Sequence, residues 1–372
     1  MRTTSVFLVT TLALAACATQ EGGRGAGGST NGGATGSTDA NPVGATQGGG
    51  STAGTGSTMG SGTGPGDMGA GTGSEPSEGD AAPAPSGSLR FVVLGDGGTG
   101  DAAQAKVAAA MKTVCAERGC AFALYLGDNI YEDGANGVTD AQFAAKFETP
   151  YADLDFPFYV VLGNHDYGSN GTNLLPSEAK SAAQVEYTAR SEKWNMPHYY
   201  YAFREGPVAF FGLDTNGIVI DQFRKGSEQQ AWLDAEIAKS DAPWKIVFGH
   251  HPYISNGEHG VAGSYVGSVG IELHDGARLK SFVEESICGK SQVYFSGHDH
   301  DREWLEPTCG TTFIVSGAAA KLRQLEERGV AARFGEATQR GFMWVEIEGD
   351  VLTGVFYDDD AEISYEDTIL RK

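Results

Sequence analysis

The chain has 372 residues and a formal net charge of −22, and no Phe, Tyr or Trp stands between Phe7 and Phe91. The span from Ala18 to Ser88 holds 23 glycines and almost nothing able to fill a core, so it reads as a flexible tether; only 89–372 is suited to bury one. That part carries −18, which excludes nucleic acid or an anionic lipid surface as electrostatic partner but leaves room for an anionic small substrate if a metal sets the local sign.

At the start of the chain, Met1-Arg2 places a positive charge before a short apolar run, Val6 to Ala16, closed by Leu14-Ala15-Ala16-Cys17. The run is too short to span a bilayer. It resembles a bacterial lipoprotein signal, which implies removal of residues 1–16, a lipid on Cys17, and a chain exported to the outer membrane or cell surface. Residues 17–88 then form the tether, whose ~70 residues span ~45 Å as a flexible coil, and 89–372 form one domain. Cys115, Cys120, Cys288 and Cys309 remain in a chain that leaves the reducing cytosol, so two disulfides are expected. Three connectivities are open, with Cys115–Cys120 and Cys288–Cys309 favoured. The absence of any C-x-x-C argues against a cysteine metal site.

Five apolar runs follow one grammar: Phe91 to Leu94, Phe122 to Leu126, Phe158 to Leu162, Lys245 to Phe248 and Val293 to Ser296. Each is followed by Gly and a polar side chain, the continuations reading GDGG, GDNIY, GNHD, GHHP and GHDH. Continuous β-rich runs bounded by Gly predict buried strands, with Gly allowing a sharp turn at the strand end. After the first comes a predicted helix, with Asp101 and Gln104 as a capping box, Val107, Met111 and Val114 on one face and Gly119 as its stop. Another is predicted from Ser227, with Trp232, Leu233 and Ile237 at helical spacing. Strands alternating with helices imply an α/β sandwich whose sites gather beyond the strands' carboxyl ends.

Asp96, Asp128, Asn164, His250, His298 and His300 all fall at such ends. Hard oxygen donors mixed with imidazole suit Fe, Mn or Zn. Of eight histidines, His165, His250, His259, His298 and His300 lie in or just after the motifs. His198, His251 and His274 read as structural, and Asp214, in FFGLDTN, as a turn residue.

In this order the motifs resemble the metallophosphoesterase superfamily. Tyr131, three residues after Asp128, makes the resemblance one to its purple acid phosphatase branch, most like the small tartrate-resistant type; many other members carry a His two residues after the first Asp, where this chain has Gly98. The similarity covers most of 89–372, including QVEYTARSEKWNMPHYYYAF and the GEHG after GHHP. It implies a sandwich of two mixed β-sheets flanked by helices, behind a disordered tether.

Carried over residue by residue, the resemblance implies that Asp96, Asp128, Tyr131 and His300 hold Fe(III), and that Asp128, Asn164, His250 and His298 hold a divalent Fe, Zn or Mn ion. Asp128 would bridge. His165 and His259 would meet phosphate oxygens, one of them protonating the leaving group. The implied reaction is hydrolysis of phosphate monoesters by metal-bound hydroxide, without a covalent phosphoenzyme. The short segment between Asp214 and Ser227 implies no proteolytic activation, and the loop from Gly257 to Gly270 is a candidate substrate rim. A small phosphorylated substrate, a lipid-only membrane contact and a monomer complete the expectation. The alternatives are a phosphodiesterase or nucleotide hydrolase on the same fold, and a non-catalytic metal-binding surface lipoprotein.

Overall fold

The computed structural model describes residues 87–220, 225–263, 276–326 and 328–371. The signal and nearly all of the tether, Cys17, His274 and the 264–270 half of the candidate rim lie outside these residues.

The chain lays down four strands of one sheet, β1 (Leu89–Leu94), β2 (Ala123–Tyr125), β3 (Phe158–Val160) and β4 (Trp194–Asn195). It then builds all of a second sheet from β5 (Tyr201–Glu205), β6 (Val208–Gly212), β7 (Trp244–Phe248), β8 (Val293–Ser296), β9 (Arg302–Leu305), β10 (Thr312–Ser316) and β11 (Ala332–Glu336). Finally β12 (Gly341–Glu348), β13 (Val351–Asp358) and β14 (Ile363–Leu370) return to complete the first. The strand orders are β14-β13-β12-β1-β2-β3-β4 and β11-β9-β10-β8-β7-β6-β5. Both sheets are mixed: β1 to β4 pair in parallel, as do β6, β7, β8 and β10, while β1 meets β12 antiparallel.

The sheets pack face to face through aromatic rings. Phe91 stacks on Phe122 at 5.0 Å and meets Phe210 and Phe295 of the other sheet edge-on at 5.4 and 6.5 Å. Helix α1 (Ala102–Arg118) buries Val107, Met111 and Val114 and packs against β12 and β13. Helix α2 (Glu178–Tyr187) follows β3, and α3 (Thr215–Ile220) follows β6. The helices α4 (Lys225–Lys239) and α5 (Gly276–Ser286) place Leu233, Ile237, Leu279 and Phe282 in one cluster with Phe211, Val247 and Phe313 of the second sheet.

Asp101 caps α1 as its sequence predicts, accepting from the amides of Ala103 and Gln104. The Gln104 side chain reaches back to the Gly100 N–H at 2.7 Å rather than to that of Asp101. Helix α4 starts at Lys225, two residues before the predicted Ser227. Strand β2 stops at Tyr125 rather than Leu126, because the Leu126 carbonyl accepts from His250 Nδ1 at 2.8 Å instead of from a neighbouring strand. Both favoured disulfides are present, with Cα separations of 5.2 Å for Cys115–Cys120 and 5.3 Å for Cys288–Cys309.

The Gly that follows each run is required by crowding where the sheets' ends converge. Gly127 has φ +90, and a Cβ there would stand 2.7 Å from both His250 Nδ1 and the Gly163 amide nitrogen. A side chain would therefore cost both backbone strain and steric overlap.

Candidate metal centre

Parallel strands deliver the donors to one edge of the sandwich. Asp96 follows β1, Asp128 follows β2, Asn164 follows β3, His250 follows β7, and His298 and His300 follow β8. Three of these adopt left-handed backbone, with φ of 61 at Asp96, 53 at Asp128 and 69 at His298. For residues other than Gly this conformation costs about 1–3 kcal/mol each and persists only where the surroundings impose it. Here they do. The Asp96 amide donates to the Gly127 carbonyl at 3.1 Å and its Oδ2 accepts from the His298 amide at 2.8 Å, while Asp128 Oδ1 accepts from the His165 amide at 3.0 Å. Asp166 ties the loops together, accepting from the amides of Gly163, Asn129 and Ile130 and from Gln184 Nε2.

The structure brings the predicted donors together. Asp96, Asp128 and His250 are buried, and one donor atom from each lies within 4.8 Å of the others. His250 Nδ1 donates to the Leu126 carbonyl, which turns Nε2 towards the other donors. Around Nε2 stand Asn164 Oδ1 at 2.9 Å, His298 Nδ1 at 3.0 Å and Asp128 Oδ1 at 3.5 Å. Asn164 cannot turn its amide inward without giving up the bond from Nδ2 to the Gly171 carbonyl at 2.8 Å. An amide oxygen, a carboxylate oxygen and two imidazole nitrogens converging within 3.5 Å of one point are donors of the kinds that bind metal ions, so the set fits a metal.

The same holds beside Tyr131. Its buried hydroxyl donates to Asp96 Oδ1 at 3.0 Å and lies 3.2 Å from His300 Nε2, which is itself 3.5 Å from Asp96 Oδ1. Burial, reinforced by the charges of Asp128 and Asp96, pushes the Tyr131 phenol well above its usual range. Burial also pushes Asp96 up to about 7, with the Asp128 charge adding to it. Asp128 is pushed up by burial too, yet His250, His165 and the His165 amide outweigh this and leave it below the ordinary value. His298 is held well below its usual range by burial and then by the neighbouring histidines, and His300 is brought down to about 4 by burial and then by Arg323. Neutral imidazoles facing carboxylates are the protonation state that metal binding demands.

Over this cluster opens a cavity of about 250 Å³, lined among others by Asp128, Asn164, His165, His259, His300 and Arg323. His165 Nδ1 lies 2.6 Å from the Glu132 carbonyl. The His259 amide and Nδ1 both meet Asp299 Oδ1, at 2.9 and 2.8 Å, and the Ser255 hydroxyl donates to Asp299 Oδ2. Asp299 is fully buried; burial pushes its carboxyl up, but the His259 and Ser255 bonds outweigh this and hold it below the usual range.

Other assignments fall away from the cavity. Asp214 is the structural residue expected, accepting from the Gly217 amide at 2.9 Å and from the Tyr167 hydroxyl at 2.6 Å. His251 is buried with Nδ1 2.9 Å from Thr215 Oγ1, although its ring comes within 4.4 Å of that of His298. His198 is exposed beside the Tyr200 carbonyl. Sequence reasoning missed Asp299, which stood in view inside GHDH, and Arg323, which no motif marks.

Hard donors gathered at the ends of two mixed sheets define a candidate metal centre on an α/β sandwich. The model of the calcineurin-like phosphoesterase family matches residues 89–302, and the chain belongs to that family. It is similar to purple acid phosphatase 7 of Arabidopsis thaliana, 33% identical over 63% of this chain and 71% of the relative, and to tartrate-resistant acid phosphatase type 5 of Sus scrofa, 30% identical over 71% and 82%. In fold it resembles a purple acid phosphatase from yellow lupin, with a TM-score of 0.58 at 18% identity over 78% of this chain and 55% of that one.

Two hydrogen bonds from His259 to the buried Asp299 carboxylate fix the imidazole, so Asp299 is expected to act as a positioning residue through it. Asp299→Ala is expected to lower phosphomonoester turnover about tenfold, and the same change in a His259→Ala background to cost less than about twofold. Equal losses in both backgrounds would assign Asp299 a general structural role instead.

Proposed function

We propose that the domain hydrolyses phosphate monoesters at a dinuclear centre of Fe(III) and a divalent Fe, Zn or Mn ion. The observation that carries this reading is the Tyr131 hydroxyl, buried against Asp96 and His300. A phenol so placed ionises only beside a hard, highly charged ion. Asp96, Asp128, Tyr131 and His300 would hold Fe(III) on this reading, and Asp128, Asn164, His250 and His298 would hold the divalent ion. Such a pair supplies Lewis acidity towards phosphoryl oxygens and a bound water acidic enough to serve as nucleophile at mild pH.

The chain's own groups do the rest. Asn164 is oriented by its bond to the Gly171 carbonyl, and His250 by its bond to that of Leu126. His165 and His259 border the cavity, their Nδ1 atoms held by the Glu132 carbonyl and the Asp299 carboxylate, and both imidazoles are placed to meet a phosphate oxygen. One of them delivers a proton to the leaving alkoxide, a step that commonly contributes ~10²- to 10⁴-fold. The similarity to enzymes named purple and tartrate-resistant acid phosphatases supports the monoester reading over a diesterase, and the complete donor set supports catalysis over mere metal storage.

Tyr131→Phe tests this directly. Oxidised, iron-loaded protein is expected to show a visible phenolate-to-iron charge-transfer band and to cleave phenyl phosphate faster than diphenyl phosphate. The variant should lose the band yet keep iron through Asp96, Asp128 and His300, and remain more active than Asp128→Asn at matched iron content. A band that survives Tyr131→Phe, or an iron-replete colourless native protein, contradicts the assignment.

We infer that the domain works outside the cytosol on a lipid anchor at Cys17. The apolar run closed by Leu14-Ala15-Ala16-Cys17 and the two disulfides support this. In cell fractionation Cys17→Ser should move the protein from the membrane to the soluble fraction; unchanged membrane association would refute the anchor.

A further inference from the structure

We propose that Arg323 and Lys321 form a cationic rim that selects phosphoesters and phosphoanhydrides whose leaving group carries a second oxyanion, a phosphate or a carboxylate. The proposal rests on the phosphoesterase reading above and adds to it the class of leaving group.

The rim belongs to the segment after β10 and is fixed to the site rather than trailing past it. The Arg323 amide donates to the carbonyl of His300 at 3.0 Å, and the Glu326 amide to that of Asn256 at 2.7 Å. Arg328 Nε donates to the Gly257 carbonyl at 2.6 Å. These bonds hold the segment against both His300 and the loop that carries His259. Arg323 lines the cavity. Lys321 Nζ stands 3.6 Å from the centre of the Tyr131 ring, so a second positive charge lies beside the same donor cluster.

The Arg323 charge is not committed to the fold: its guanidinium pairs with Glu258, the two side chains being 44% and 49% exposed. Lys321 is more closely held, 26% exposed, with Nζ 2.7 Å from Glu132 Oε1 and over the Tyr131 ring. Ion pairs as open as that of Arg323 with Glu258 contribute only about 0–1 kcal/mol, so a more highly charged ligand can displace the carboxylate. A guanidinium fork suits the two oxygens of a phosphate or carboxylate and makes stronger bonds to them than neutral donors do. One cation at the mouth of an acidic metal site and a second beside Tyr131, in a domain whose net charge is strongly negative, are therefore a local reversal of sign aimed at an anion. The metal donors face the scissile phosphoryl group. The rim remains for a second one.

The test uses the full metal-replete chain and three substrates: phenyl phosphate, 3-carboxyphenyl phosphate and inorganic pyrophosphate. Arg323→Gln is expected to lower kcat/KM about tenfold for a substrate with the second oxyanion and less than about twofold for phenyl phosphate. Glu258→Gln, which frees the guanidinium, should raise the preference for the doubly anionic substrates. A loss confined to pyrophosphate identifies phosphate as the recognised group, one confined to 3-carboxyphenyl phosphate identifies carboxylate, and a loss with both identifies an oxyanion of either kind. Equal losses on all three substrates, or no loss on any, overturn the proposal. Calorimetric binding of phosphonoacetate against methylphosphonate requires no turnover. If no ester is hydrolysed, the phosphoesterase reading fails, while an Arg323-dependent preference for phosphonoacetate still decides the rim.

Discussion

The convergence of oxygen and nitrogen donors around His250 Nε2 is the constraint on which the rest of the structure depends. Asn164 Oδ1, Asp128 Oδ1 and His298 Nδ1 crowd the His250 nitrogen at the floor of the cavity. Such an arrangement is costly in the absence of a cation and favourable in its presence, so folding and metal binding are linked. The bonds that fix these groups, from Asn164 Nδ2 to the Gly171 carbonyl and from His250 Nδ1 to the Leu126 carbonyl, hold Asn164 Oδ1 and His250 Nε2 face to face.

The sandwich makes that convergence possible. Parallel strands place their carboxyl ends at one edge, and the aromatic contact of Phe91 with Phe210 and Phe295 holds the two sheets in register across it. Close approach then dictates glycine at the turns and left-handed backbone at Asp96, Asp128 and His298. Strain at three donors is affordable only because the core beneath is extensive. The site's chemistry and the fold's least comfortable residues thus coincide.

Much of this was legible in the sequence because the same physics acts locally. A buried strand needs an apolar run, a crowded turn needs Gly, and a site at the strand end needs a polar side chain next, so GDGG, GDNIY, GNHD, GHHP and GHDH announced both the strands and the donors. The helix at Asp101 was equally plain, since its cap and stop lie within a few residues of the apolar face. What could not be read is non-local. Nothing near Leu89 shows that it pairs with Ile347, or that β12 to β14 close the first sheet after the second is complete. The early end of β2 follows from a histidine far along the chain taking the Leu126 carbonyl. Arg323 reaches the cavity only because its backbone is bonded to His300, a relation without a sequence signature. Asp299 is the intermediate case, visible in its motif but not in its partner.

The central claim is that one shared carboxylate, Asp128, joins two cation sites in this donor cluster. Metal analysis after equilibrium dialysis is its most direct test. The account predicts about two ions per native chain, about one in Asn164→Ala, and a loss from both sites in Asp128→Ala. A single ion per native chain, or an Asp128→Ala variant that retains both, would contradict it.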